Sequence, residues 1–186
     1  MSQGRWLGID FSGNVKQWSA TKKNSNVWVA EVQGQDSGLH LVGLRRVQDL
    51  PGQAPPFERL ATLLGGTFSA AGIDAPFSVP GAVVQDHRAF LRLVGQSKPP
   101  RCTFVSGNEF VVAVTGQPPP LSPHKPLRAT EARWIRTGSV RSTLWWKPRG
   151  GAPMTACLTL LDLVGGPVWP FTRTAASLLV EAFPAA

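Results

Sequence analysis

The sequence predicts an α/β fold built around a mixed β-sheet. Three observations predict it. The first half of the chain runs strand, strand, strand, helix, strand, an order that combines hairpin pairing with a helical crossover. Another short apolar stretch near the end of the chain, after a helical region, supplies a fifth strand. With 186 residues, 42% of them hydrophobic, the chain can bury a sizeable core in one elaborated domain.

Each element follows from local pattern. Arg5 to Phe11 is the first strand, too short and too glycine-interrupted for a helix. Gly13 and Asn14 break it, and the polar stretch to Asn26, with Lys22 and Lys23, is an exposed excursion. "VWVAEV" at 27–32 is the second strand and "LHLVGLRRV" at 39–47 the third. "QDSG" at 35–38 turns between them, so the two form a hairpin. In "PPFERLATLLGG", residues 55–66, Phe57, Leu60, Ala61 and Leu64 share one helical face, with Pro56 in the first turn and Gly65 as the stop. "AAGIDAPF" at 70–77 is the fourth strand. Val83 to Val94 is a second helix, with Val83, His87, Phe90, Leu91 and Val94 on one side. Lys98 to Arg101 is a loop, and Phe104 to Thr115 fits either a strand or a helix. "QPPPLSPHKP" at 117–126 is too rich in proline for regular structure. Leu127 to Thr137 fits a short helix, Gly138 to Pro153 a loop, and Met154 to Val164 a third helix. "SLLVEAF" at 177–183 is the fifth strand.

Charge is unevenly placed. The formal net charge is +8, and Asp86 to Arg149 alone carries eleven Lys and Arg against three Asp and Glu. A clustered positive field attracts polyanions, which makes nucleic acid the expected partner, with general solubility the competing explanation. No apolar run reaches the roughly 18 residues of a membrane span, and the first residues lack the apolar core of a secretory leader. Cys102 and Cys157 lie far apart and make no metal pattern. A reduced, cytoplasmic protein is the expectation.

The chemistry-bearing residues are acids at strand ends. "GIDFS" at 8–12 and "GIDAPFS" at 72–78 each run Gly, Ile, Asp at the end of an apolar strand, and "LVEAFP" at 179–184 puts Glu181 in a similar place. Acids at the carboxyl ends of neighbouring strands crowd negative charge where ligands of open α/β sheets bind. A hard divalent cation relieves that crowding with two or three carboxylates and several waters. Gly8 and Gly72, two residues before each aspartate, leave space on the same face. For a single Asp before Ser-Gly, an Asx-turn is the competing explanation. For Glu181, the competing explanation is an exposed edge position.

In order, "WLGIDFSGN", "AAGIDAPFSVP", "HKPLRATEAR" and "VEAFPAA" resemble the landmarks of the DUF429 family, predicted nucleases with a ribonuclease H-like fold. The resemblance implies a central five-stranded sheet, first three strands antiparallel, with helices on both faces in a single domain over 1–186. The basic, Pro- and Trp-rich segment at about 98–153 is then an insertion. The resemblance further implies a catalytic set of Asp10, Asp74, Glu131 and Glu181, with Asp10, Asp74 and Glu181 holding Mg²⁺ or Mn²⁺. Family members continue with further helices beyond the last motif, whereas this sequence stops at Ala186; the resemblance then implies that Glu181 is the last ligand, that the C-terminus is truncated, or that the metal set is incomplete.

Ser12, Lys125, Arg128 and Arg133 are the candidate substrate contacts. Arginine's planar fork matches phosphate oxygens, and Ser12 follows the first aspartate, where turn-capping is the competing and favoured explanation. A surface ion pair with Glu131 is the alternative for Arg128. Trp134, Trp145 and Trp146 interleave with the cations of that segment and suit stacking on bases or plain core packing. The function expected is metal-dependent phosphodiester hydrolysis in nucleic acid. Two other classes stay open: an actin-like nucleotide-binding phosphotransferase, and a non-catalytic nucleic-acid-binding module.

Overall fold

A computed structural model describes residues 4–35, 38–79, 85–116, 128–129, 132–133, 151–173 and 175–182. It is an α/β structure with a mixed sheet. The strands are β1 (Arg5–Asp10), β2 (Trp28–Gln35), β3 (Gly38–Arg46), β4 (Ala70–Ile73), β5 (Val168–Trp169) and β6 (Leu178–Glu181). The helices are α1 (Pro56–Leu64), α2 (His87–Gln96), α3 (Gly107–Thr115) and α4 (Gly151–Val164). The sheet has six strands in the order β3-β2-β1-β4-β6-β5, where the sequence predicts five. The additional strand is β5, two residues long, paired parallel to β6 at Val168↔Leu179 and Trp169↔Val180. A two-residue strand carries too little pattern to stand out in the sequence.

The chain divides into two compact units. One combines residues up to Ala75 with Leu163–Ala182, and the other runs from Pro76 to Asp162. Among the described residues, the second takes in α2, α3 and α4 as far as Asp162.

In the first unit, β1 pairs antiparallel with β2, and β2 with β3, as the hairpin reading requires. β4 lies parallel to both β1 and β6. Because strand side chains alternate, this register sorts the sheet into two faces. Leu7, Ile9, Val29, Ala71, Ile73, Val168 and Leu179 share one face and are all buried. The other face carries Trp6, Ala30, Val32, Leu39, Leu41, Leu44, Val180 and Trp169, and none of these is fully buried. Leu39 and Leu41 on the edge strand β3 are 71% and 61% exposed. Val42 is the extra residue of a bulge opposite Glu31 and Val32, a device that twists an edge away from further pairing.

Between β1 and β2 the chain makes a 3-10 turn, Val15–Trp18, capped by the Asn14 side chain accepting from the Lys16 N–H at 3.0 Å. Trp18 anchors it, packing edge-on against Phe57 with ring centroids 4.9 Å apart and tilted against Phe11 at 5.2 Å. α1 buries Pro56, Phe57, Leu60, Ala61 and Leu64, the face its periodicity predicts. Arg59 on its outer side donates to the carbonyls of Gln48 and Leu50, tying the helix to the chain that precedes it.

On the buried face's rim, Glu31 accepts from Arg5 Nε at 2.8 Å and from Arg45 Nη2 at 3.1 Å. The hydrogen bond from Arg5 is the main cause that lowers its carboxyl below the ordinary range; burial opposes it, and the charges of Arg5 and Arg45 add to it. A depressed carboxyl contributes stability above its unfolded value and loses it as pH falls through the folded one. Glu31→Gln is expected to cost about 1 kcal/mol at neutral pH, since both arginines are partly exposed and screened. The difference disappears in acid, which paired thermal melts at neutral and strongly acidic pH will read.

In the second unit, α2 follows an Asp86 cap accepting from the Ala89 N–H at 3.0 Å, so the helix starts at His87, four residues later than expected, and buries Phe90, Leu91 and Val94; Val83 lies outside the described residues. The 104–115 stretch resolves as helix from Gly107 onward. Ser106 and Glu109 form a reciprocal capping box, and Gly116 closes the helix with φ of 69°. Phe110 of α3 meets Phe90 of α2 edge-on at 6.0 Å. α4 is buried at every position from Met154 to Leu161, as expected of a helix apolar all round. Asp162, at its end, lies so close to Gly95 that a side chain there would collide with the carboxylate.

Candidate functional site

Asp10 is the last residue of β1, and its side chain is exposed. Asp74 follows the last residue of β4. Ile9 pairs with Ile73, and the Asp74 N–H continues the ladder to the Ile9 carbonyl at 3.0 Å. The two aspartates are therefore neighbours across a parallel pair and share a sheet face. The echoed Gly-Ile-Asp stretches align residue for residue, Gly8 with Gly72 and Ile9 with Ile73.

Their electrostatics match that placement. Asp74 is held above the ordinary aspartate range, first by burial and second by the charge of Asp10. Its Oδ1 is buried without a hydrogen-bond partner. An unpaired carboxylate oxygen beside a second carboxylate is costly. A carboxyl raised by burial and by a like-charged neighbour is a kind of perturbation that functional sites carry.

Glu181 does not join them. It pairs with Ile73, so it belongs to the face opposite Asp74. The residue on the aspartates' side of β6 is Ala182, whose N–H donates to the Ile73 carbonyl at 2.9 Å. A Cβ on Gly72 would stand 3.1 Å from that of Ala182, so glycine here lets β6 close on β4. At Gly8 the nearest atom to such a Cβ would be the Ala30 Cβ at 3.8 Å, which leaves room above β1. Among the described residues no three His, Cys, Asp or Glu side chains are grouped to hold a metal. The pair Asp10 and Asp74 is what the sheet assembles from the predicted acids.

The remaining predicted residues sort as follows. Ser12 is buried; its hydroxyl accepts from the Asn14 N–H at 3.2 Å, and its carbonyl from Trp18 Nε1 at 2.8 Å. That is a turn-forming role. Arg128 is buried rather than displayed at the surface, and Arg133 is exposed. Lys125 and Glu131 lie outside the described residues, as do Trp134, Trp145 and Trp146.

Sequence reasoning missed two residues beside the aspartates. Trp28 pairs with Asp10, and Arg46 with Trp28, so Arg46, Trp28, Asp10 and Asp74 form one row across four strands on one face. The Arg46 guanidinium lies over the Trp28 indole, 4.8 Å from its centroid. A Trp at the head of the second strand and an Arg at the tail of the third are visible in the sequence, and only the pairing register sets them beside Asp10.

No helix among the described residues is long and apolar enough to cross a membrane. Comparison with protein-family models, with curated proteins and with solved structures finds no match.

Proposed function

We propose that this chain is a ribonuclease H-like, metal-dependent nuclease, with Asp10 and Asp74 as its metal-holding carboxylates. The observation that carries the reading is the unpartnered, buried Oδ1 of Asp74 beside a second carboxylate. The sheet order supports it: three antiparallel strands, then β4 and β6 added parallel on the other side of β1, with the short β5 beyond them. The donor set fits Mg²⁺ or Mn²⁺, hard ions that take oxygen ligands and keep several waters.

A divalent ion bound there supplies the Lewis acidity for hydrolysis of a phosphodiester. The protein's own part is electrostatic and positional. Two strands fix the carboxylates side by side before any ligand arrives, so little reorganisation is left for the reaction. The open space above Gly8 admits a phosphate close to the backbone. The basic segment from Asp86 to Arg149 gathers the polyanion in solution.

The test is a Mn²⁺ titration followed by thermal shift and by anomalous scattering from crystals. Mn²⁺ is expected to raise the melting temperature, with one or more peaks against Asp10 and Asp74. Because Asp74 holds its proton to higher pH than an ordinary aspartate, metal and proton compete for it over a higher pH range. The shift should therefore shrink as pH falls through that raised value. ATP giving the larger shift favours the phosphotransferase reading, and neither giving one leaves the acids without a metal role.

A further inference from the structure

The aspartates occupy half of a row, and the other half has its own chemistry. Arg46 on β3 and Trp28 on β2 continue the line of Asp10 and Asp74 across the same face. Neighbouring strands are about 4.8 Å apart, which puts the Arg46 backbone roughly 10 Å from that of Asp10. Both side chains are half-buried, so neither is sealed in the core. The guanidinium lies over the indole, its Cζ 4.8 Å from the ring centroid, and its Nε is buried without a hydrogen-bond partner. The row thus has an unsatisfied donor on a fixed cation at one end and an unsatisfied acceptor on a carboxylate at the other. An aromatic plane lies between them.

The charges differ in what they admit. A carboxylate pair repels an anion unless a cation intervenes, whereas Arg46 attracts one directly. The aromatic surface takes a base face and is indifferent to its sequence. In a duplex the bases are stacked inside and their faces are not available; in an unpaired strand they are. Phosphate, base and phosphate in succession therefore match cation, indole and carboxylates in succession.

We propose that Arg46 and Trp28 form a nucleotide subsite for an unpaired nucleic-acid strand, next to the carboxylates that act on its backbone. Arg46 holds a phosphate flanking the scissile one, and Trp28 fixes the guanidinium and offers its ring to the adjoining base. This rests on reading Asp10 and Asp74 as the hydrolytic site, and it specifies the substrate as single-stranded.

The experiment is fluorescence anisotropy of the full chain with a labelled oligothymidylate, in EDTA, over a range of salt. Trp28→Leu is expected to weaken binding roughly five- to a hundredfold, the effect of losing one stacked base. Trp28→Phe restores most of it and guards against a merely unfolded variant. Arg46→Gln is expected to flatten the slope of log affinity against log salt by about 0.7, one single-strand phosphate contact. The same sequence as a duplex should bind more weakly than the single strand. Unchanged affinity and salt slope in folded Trp28→Leu and Arg46→Gln proteins overturn the subsite, as does a preference for the duplex that both variants retain. EDTA separates the two readings. Binding that depends on Trp28 and Arg46 in a protein that fails to take up Mn²⁺ upholds the strip and removes the cleavage role. Mn²⁺ uptake with oligonucleotide affinity unaltered in both variants does the reverse.

Discussion

Asp10→Asn is expected to reduce Mn²⁺-dependent cleavage of a single-stranded oligonucleotide by on the order of 10²–10³-fold, the usual loss when a preorganised electrostatic contact to the reacting centre is removed. The fold should survive, because Asp10 is exposed at a strand end and the β1 ladder is made by backbone. Stability should in fact move the other way. Asp74 is held above the ordinary range by burial first and by Asp10 second. A carboxyl whose folded value is raised contributes fully at low pH and loses that contribution as pH rises through the folded value. At neutral pH the native protein therefore bears the cost of a crowded charge. Asp10→Asn relieves part of it and should melt slightly higher at neutral pH, with no difference in acid. Lost cleavage with a raised melting point is the signature of a site that trades stability for function. Cleavage equal to that of the wild type removes Asp10 from the chemistry.

Trp18→Ala is expected to give the largest loss of stability, about 3–5 kcal/mol for a buried aromatic truncated to alanine. For a chain of this size that corresponds to a fall of roughly 10 °C in melting temperature. Trp18 is only 4% exposed and sits between Phe11 and Phe57. Its indole N–H also satisfies the Ser12 carbonyl at 2.8 Å. Losing the ring opens a cavity beside α1 and frees the turn that follows Asp10. Trp18→Phe keeps most of the packing and forfeits the hydrogen bond, for about 1 kcal/mol. Thermal melts of the two variants separate the terms: a Trp18→Phe protein as weak as Trp18→Ala would show that the hydrogen bond, not the ring, carries the effect.

Parts of this architecture were legible because local rules and tertiary structure agree. The helical face of Phe57, Leu60, Ala61 and Leu64 is the buried one. The repeated Gly-Ile-Asp marks two strands that do lie side by side. Elsewhere local rules conflict. Phe104 to Thr115 is rich in valine, which favours strands, yet Ser106 and Glu109 supply a reciprocal cap that starts a helix there. The face of Glu181 was not legible at all. A shift of one residue in pairing moves every side chain of a strand to the other side, and nothing local in "SLLVEAF" sets its register against β4. Trp28 and Arg46 were hidden for the same reason: they become neighbours of Asp10 only through two antiparallel registers, one of them interrupted by a bulge.

The division of the sheet between two distant stretches of chain has a kinetic consequence. β4, which ends at the second aspartate, gains its outer neighbour only from Leu178–Glu181, with the whole second unit coming between. During synthesis the ribosome releases β1 to β4 long before β6. Until then β4 presents an unfilled hydrogen-bonding edge, and non-local parallel pairing of this kind is slow to form. Refolding should accordingly show the hairpin half protected early in pulse-labelled hydrogen exchange, with amides at the β4–β6 seam acquiring protection last.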